Sequence, residues 1–145
     1  MAANLADTSF LFSLYGRDAR TAAAQAWIRT TNRPVTLSAL ARYELGNALR
    51  FAAFRKVIAQ VHALSALAAF ESDLSTGYLQ LASCDFASII EEARRLSGLY
   101  SLGGGHRSFD LLHVATARVL KARVFLSFDA NQRKLAAAVG LDVAP

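Results

Sequence analysis

Val124-Phe125-Leu126-Ser127-Phe128-Asp129 is the stretch on which the fold turns. It reads as a strand apolar enough to lie inside a sheet, stopped by a carboxylate and followed by a helix over residues 131–139 that Gly140 closes. The start of the chain has the same shape. A first apolar run ends at Asp7-Thr8-Ser9, and Phe10, Leu11, Leu14 and Tyr15 then recur at helical spacing, with Ser9 as the expected N-cap. Pro34-Val35-Thr36-Leu37 reads as the next strand, and Ser38 caps a helix running through Glu44 and Asn47 to about Phe54.

Val57, Val61, Leu64 and Leu67 or Ala68 predict a helix over residues 57–76 that Gly77 closes, with this stripe and the Phe51/Phe54 pair expected to be core rather than contact surface. Residues 78–82 form a weak strand. Asp85 caps a helix whose apolar face is Ile89, Ile90, Ala93 and Leu96. Gly98 and Gly103-Gly104-Gly105 break the pattern, Ser108 caps a helix carrying Leu111, Leu112, Val114, Ala115 and Val119, and residues 141–143 make a last strand. Strands alternating with one or two helices predict an α/β protein with a central parallel sheet and helices on both faces, a three-layer α/β/α arrangement. No repeat or linker divides it, so residues 1–145 are read as one domain.

At 145 residues and 54% apolar, the chain can bury a core without staples. Its formal charge is +5, and all its cations except Lys56, Lys121 and Lys134 are arginines, whose planar fork suits phosphate. Cys84 is the single cysteine, which excludes an internal disulfide or a thiolate zinc site and fits a reducing cytoplasmic setting. Asp7 interrupts the first apolar run, which argues against a signal peptide. The apolar stretch 57–70 is broken by polar residues and too short to span a bilayer, so no membrane role is expected.

Eleven acids make their placement informative. Asp7 and Asp129 stand at the carboxyl ends of apolar strands, where open α/β sheets place ligands. Either can also be a simple helix cap. Glu44 has Leu40, Ala41, Asn47, Ala48 and Phe51 as helical neighbours, a mostly apolar face on which a carboxylate needs a cation, a proton or a metal. Asp110 opens a helix behind the glycine-rich segment, where it can act as a ligand or only as a dipole partner; His113, one turn on, reads as a core or supporting residue. Two acids at strand ends, one on an inward helix face and one opening a helix can share a crevice. An all-oxygen anionic site of that kind suits Mg²⁺ or Mn²⁺ rather than zinc.

Ala6-Asp7-Thr8-Ser9-Phe10, the segment from Thr36 to Leu49 with its Glu44-Leu45-Gly46-Asn47-Ala48-Leu49, and Phe109 to Ala117 with Val124 to Asp129 and the run from Leu135 to Leu141, taken in this order, resemble the PIN-domain family. More narrowly they are similar to VapC-type toxins of toxin–antitoxin pairs. The resemblance implies a PIN-like fold and a Mg²⁺- or Mn²⁺-dependent endoribonuclease that hydrolyses RNA phosphodiester bonds as the toxin of a type II toxin–antitoxin system. It matches Asp7, Glu44, Asp110 and Asp129 to the family's catalytic, metal-binding acids, with Thr8, Ser9, Ser127 and Asn131 near enough to assist. It also implies a homodimer and a cognate antitoxin that occupies the acidic crevice. Residues 55–105 match poorly. Arg42, Arg50, Arg107 and Arg133, nearest the acids in sequence, are the expected RNA contacts.

Two other functions compete. A phosphoacceptor receiver-like domain also wants aspartates at strand ends, but leaves Glu44 unexplained and lacks a strand-end lysine. A non-catalytic module that binds RNA or protein would gain nothing from four acids facing phosphates.

Overall fold

The computed structural model of the chain describes residues 3–145. Five strands, β1 (Asn4–Ala6), β2 (Val35–Leu37), β3 (Leu79–Leu81), β4 (Val124–Leu126) and β5 (Asp142–Ala144), form one parallel sheet in the order β3-β2-β1-β4-β5. Leu5 pairs with Thr36 on one side and with Phe125 on the other, so β1 is central and β4 is interior, as its apolar sequence requires. The order reverses between β1 and β4. That switch point opens a crevice at the carboxyl ends of the strands. The 3-2-1-4-5 order also differs from the 2-1-3-4-5 order of receiver-like folds, which removes the phosphoacceptor reading.

Alternation along the strands feeds two cores. Ala6, Val35, Leu37, Leu79 and Leu126 face α1 (Thr8–Gly16), α2 (Thr21–Thr31), α3 (Ala39–Phe54) and α4 (Gln60–Ser75). Leu5 and Phe125 point the other way, onto α5 (Phe86–Leu96), α7 (Ser108–Val119) and α8 (Ala130–Ala138). This is the expected three-layer arrangement. Ser38 and Asp85 cap α3 and α5 as expected, accepting from Ala41 N and Ser88 N. Among the described residues no helix is long and apolar enough to cross a membrane.

Five local expectations are corrected. Ser9 is inside α1, whose cap is Asp7, accepting from Phe10 N. Ser108 is likewise the first residue of α7 and caps nothing; the cap position is Arg107, without a side-chain bond. Gly98 does not stop α5, which passes through a π-helical turn (Ser97–Ser101) into the short α6 (Leu102–Gly104) and ends at Gly105, in the left-handed region at φ 64°. The helix α2 has no counterpart in the sequence reading: it is alanine-rich, lacks a capping side chain, and offers only Ala24, Trp27 and Ile28 as a narrow stripe.

The fifth correction concerns α4. Its buried face is Ala63, Ala66 and Phe70, whose ring meets Tyr15 edge-on at 5.5 Å. Small alanines let the helix pack closely, and this turns Val61 and Leu64 outward; Val57 lies before the helix, which starts only at Gln60, and is exposed beside the stacked Phe51 and Phe54. Those five residues are surface, not core.

Phe125 is fully buried on an interior strand, so Phe125→Ala is expected to cost about 3–5 kcal/mol. Urea unfolding measures this, and a loss under about 1 kcal/mol contradicts the packing described.

Candidate active site

The crevice above the β1/β4 switch point holds about 560 Å³ and is lined by Thr8, Ser9, Glu44, Arg20, Arg107, Asp110, Phe128, Asp129 and Gln132 among others. Three of the four expected acids, from α3, α7 and the start of α8, therefore share one cavity. Asp7 lies beneath it, 0% exposed.

Asp7 is held by a closed hydrogen-bond shell. Its Oδ1 accepts from Ser9 Oγ at 2.7 Å and Phe10 N at 2.9 Å, and its Oδ2 from Ser127 Oγ at 2.6 Å. The two serines in turn accept from the turn after β4: Phe128 N donates to Ser9 Oγ at 2.9 Å and Asp129 N to Ser127 Oγ at 3.0 Å. Burial pushes the Asp7 carboxyl above its ordinary range, only partly offset by the donors from Ser127, Phe10 and Ser9. No lysine or arginine pairs with it among the described residues.

Glu44 reaches the crevice from the middle of α3. Its Oε1 accepts from Thr8 Oγ1 at 2.7 Å and makes a short bond to Nε2 of the buried His113. Burial opposes its ionisation, but the bonds from His113 and Thr8 and the nearby charges of His113 and Arg107 outweigh this and hold its carboxyl below the usual range. His113 is thus the partner that Glu44's apolar helix face demanded, 69 residues away in sequence.

Asp110 and Asp129 are bridged twice. From below, Gln132 donates Nε2 to Asp110 Oδ1 at 3.1 Å and its backbone N to Asp129 Oδ1 at 2.8 Å. From the solvent side, Arg107 Nε donates to Asp110 Oδ2 at 3.0 Å and Nη2 stands 3.8 Å from Asp129 Oδ2. Asp129 also caps α8 through the Gln132 bond, so the cap reading and the site reading apply together.

The assisting residues divide. Thr8 and Ser9 line the crevice and Ser127 anchors its floor, whereas Asn131 does not line it and Gln132, one position on, does. Of the four arginines, Arg107 lines the crevice. Arg42 is spent on Glu71 of α4 at 2.6 Å and Arg50 folds back over Gly46, both away from the crevice. Arg133 donates to Ser127 O and Pro145 O and lines an adjoining cleft with Arg20, Lys134 and Phe128. Arg20 was missed together with α2. It joins the two cavities, donating to Phe128 O at 2.6 Å with its guanidinium 5.4 Å from the Phe128 ring.

Among the described residues no three His, Cys, Asp or Glu side chains stand close enough to hold a metal ion where they lie. The donor set nevertheless fits a hard dication: the crevice offers carboxylate oxygens and no thiolate. Gln132 Oε1, in a residue only 5% exposed, is a buried acceptor without a partner, which water around such an ion would satisfy.

A family model described as PIN domain matches residues 5–138. Among solved structures, the chain is similar to VapC20 of Mycobacterium tuberculosis, a toxin that cleaves the sarcin–ricin loop, with 20% identity, a TM-score of 0.70, and coverage of 99% of this chain and 100% of that one. It is also similar to PAE2754 of Pyrobaculum aerophilum, with 17% identity, a TM-score of 0.64, and coverage of 98% and 83%. No curated protein matches its sequence.

Asp7 yields a pH test. Because its folded pKa is raised, the stability from its neutral form is complete below the unfolded carboxylate range, about 3.9, and is lost as pH rises through the folded value. Asn keeps the neutral shape, donating to Ser127 Oγ while the Ser127 proton turns to Ser9 Oγ, 3.2 Å away. Metal-free Asp7→Asn is therefore expected to melt no lower than wild type at pH 7, with any advantage shrinking toward pH 4. Melting curves across that range check it; a variant much less stable at pH 7 contradicts it.

Proposed function

The chain belongs to the PIN-domain family, and from that premise we propose that it is a divalent-metal-dependent endoribonuclease, the toxin of a type II toxin–antitoxin pair. The observation that supports this most directly is the shared crevice of Glu44, Asp110 and Asp129, contributed by three separate elements, with the buried Asp7 beneath them. Structure alone does not ask for such a grouping in a chain of net charge +5, since acids scattered among its arginines would be more stable.

Glu44, Asp110 and Asp129, completed from the floor by Asp7, would hold Mg²⁺ or Mn²⁺. When bound, such an ion supplies Lewis acidity toward the scissile phosphate and lowers the pKa of a water for in-line attack, which leaves a 5′-phosphate on the product. The protein's own residues set the geometry. Thr8 and His113 fix the Glu44 carboxylate through Oε1 and leave Oε2 for the crevice. Gln132 ties Asp110 to the helix that carries Asp129. The Ser9/Ser127 shell keeps Asp7 in place beneath the crevice.

Arg107 and Arg20 line the crevice with the acids, and Arg20, Arg133 and Lys134 extend the positive side along the adjoining cleft. With the expected Arg107 and Arg133, Arg20 and Lys134 take the place of Arg42 and Arg50 as the grip on the RNA backbone. Phe51, Phe54, Val57, Val61 and Leu64, exposed on the α3/α4 hairpin, are the apolar surface offered to a partner, whether the cognate antitoxin or a second copy in a homodimer. We place the protein's action in the cytoplasm, where RNA and antitoxin are available.

Incubation with total cellular RNA in Mg²⁺, followed by sequencing of new 5′-phosphate ends, tests the activity and identifies its target. Cleavage is expected to stop with EDTA, and Glu44→Gln, Asp110→Asn and Asp129→Asn each to lower kcat about a hundredfold or more. EDTA-resistant cleavage, or full activity in a folded Asp110→Asn protein, contradicts the proposal. Arg20→Ala is expected to raise KM more than it lowers kcat and to reduce the salt slope of RNA binding by about one; an unchanged slope removes Arg20 from the RNA path.

A further inference from the structure

The bonds to Asp110 and Asp129 are arranged by oxygen. Gln132 takes Oδ1 of each carboxylate, and Arg107 spans Oδ2 of each. The two sets differ in kind. Gln132 is buried and uncharged, and one of its donors is the backbone N–H that Asp129 caps at the start of α8, so its bonds are part of the fold. Arg107 is 77% exposed in its side chain and approaches from solvent, so its ion pairs are weak and exchangeable. The only carboxylate oxygens of this pair not used by the fold are therefore the two that a cation from outside can reach, and a guanidinium already covers them.

The backbone around Arg107 suits this position. Gly105 carries the left-handed turn that ends α6, and Gly104 lets the His106 ring lie where a Cβ would stand, 2.5 Å from its Nε2. The chain so arrives at Arg107 in extended conformation at the N-terminus of α7, with Asp110 one turn ahead. The Arg107 side chain makes no capping bond to the backbone of α7, and its contacts there are to Asp110 and Asp129.

We propose that Arg107 is a removable placeholder: its guanidinium neutralises the Asp110/Asp129 pair in the metal-free protein, and yields both Oδ2 atoms when a divalent cation binds, turning to a phosphate of the RNA. This rests on the reading of the crevice as a metal-dependent nuclease site. A dication and a guanidinium cannot share the same two oxygens without strong repulsion, so they compete for the pair. Once displaced, the arginine remains tethered at the crevice wall with its fork free for a phosphate. Arg107 thus opposes metal binding while assisting substrate binding, and these opposite signs are its signature. A residue with a merely structural role would weaken both.

The test compares wild type, Arg107→Ala, Arg20→Ala and Asp110→Asn. Calorimetric titration with Mn²⁺ reads metal affinity, and fluorescence anisotropy of a labelled mixed-sequence RNA oligonucleotide in Ca²⁺ reads substrate affinity. Arg107→Ala is expected to bind Mn²⁺ about threefold to fivefold more tightly than wild type and RNA about threefold more weakly. Arg20→Ala is expected to keep wild-type Mn²⁺ affinity and lose RNA affinity. If wild type binds Mn²⁺, Asp110→Asn does not, and Arg107→Ala binds it no more tightly than wild type, the placeholder is overturned and the nuclease reading stands. If wild type itself binds no Mn²⁺, the metal-site reading falls and the placeholder with it. Arg107 is exposed, so its loss leaves the fold intact, which melting curves of the variant verify.

Discussion

The bond from Ser127 Oγ to the buried carboxylate of Asp7 ties the carboxyl end of β4 to that of β1 across the sheet's switch point. Much of the site hangs from that link. Ser127 sits between Asp7 and the backbone N–H of Asp129, so one hydroxyl sets the distance between the acid under the floor and the acid on the wall. Ser9 does the same for Phe128, whose ring stacks on Phe10 and underlies Arg20. A parallel sheet supplies two strand ends side by side; the two serines convert them into one rigid unit.

Around that unit the charges are arranged against their own stability. Asp7 is buried without a cation, Glu44 depends on His113 and Thr8, and Asp110 and Asp129 share Gln132 and Arg107. Each carboxylate is held by donors that fix its orientation, and the guanidinium that reaches Asp110 and Asp129, that of Arg107, comes from solvent. On the proposed function such a site would be preorganised for a cation, and the residues that hold the acids would be as much a part of its chemistry as the acids themselves. On the proposed function, a basic rim beside an acidic floor would give an RNA strand somewhere to lie while its scissile phosphate approaches the acids.

Most of the sheet was legible in the sequence because its strands are short apolar runs mostly stopped by Asp or Ser; Asp7 and Asp129 were legible because they stand at or just past such stops, Glu44 because its helix face is apolar, and Asp110 because it opens a helix. The helix α2 was not, since alanines give little contrast between buried and exposed faces, and Arg20 was lost with it. The outward turn of Val57, Val61 and Leu64 was also unreadable: a stripe of large apolar residues looks like core until Ala63, Ala66 and Phe70 are seen to fill that role. Gln132 escaped because a glutamine after an N-cap carries no signal of its own. Its importance comes from Asp110, which lies 22 residues earlier. Long-range partners of this kind, His113 for Glu44 among them, are set by the packing of α7 against the sheet and not by any local pattern.

On the proposed function these acids together would form a site for a divalent ion. Anomalous diffraction from crystals grown with Mn²⁺ locates such an ion without reference to activity. A peak is expected in the crevice bounded by Glu44, Asp110 and Asp129 above Asp7. A crystal that shows Mn²⁺ only elsewhere, or none at saturating concentration with the crevice open to solvent, would contradict that reading.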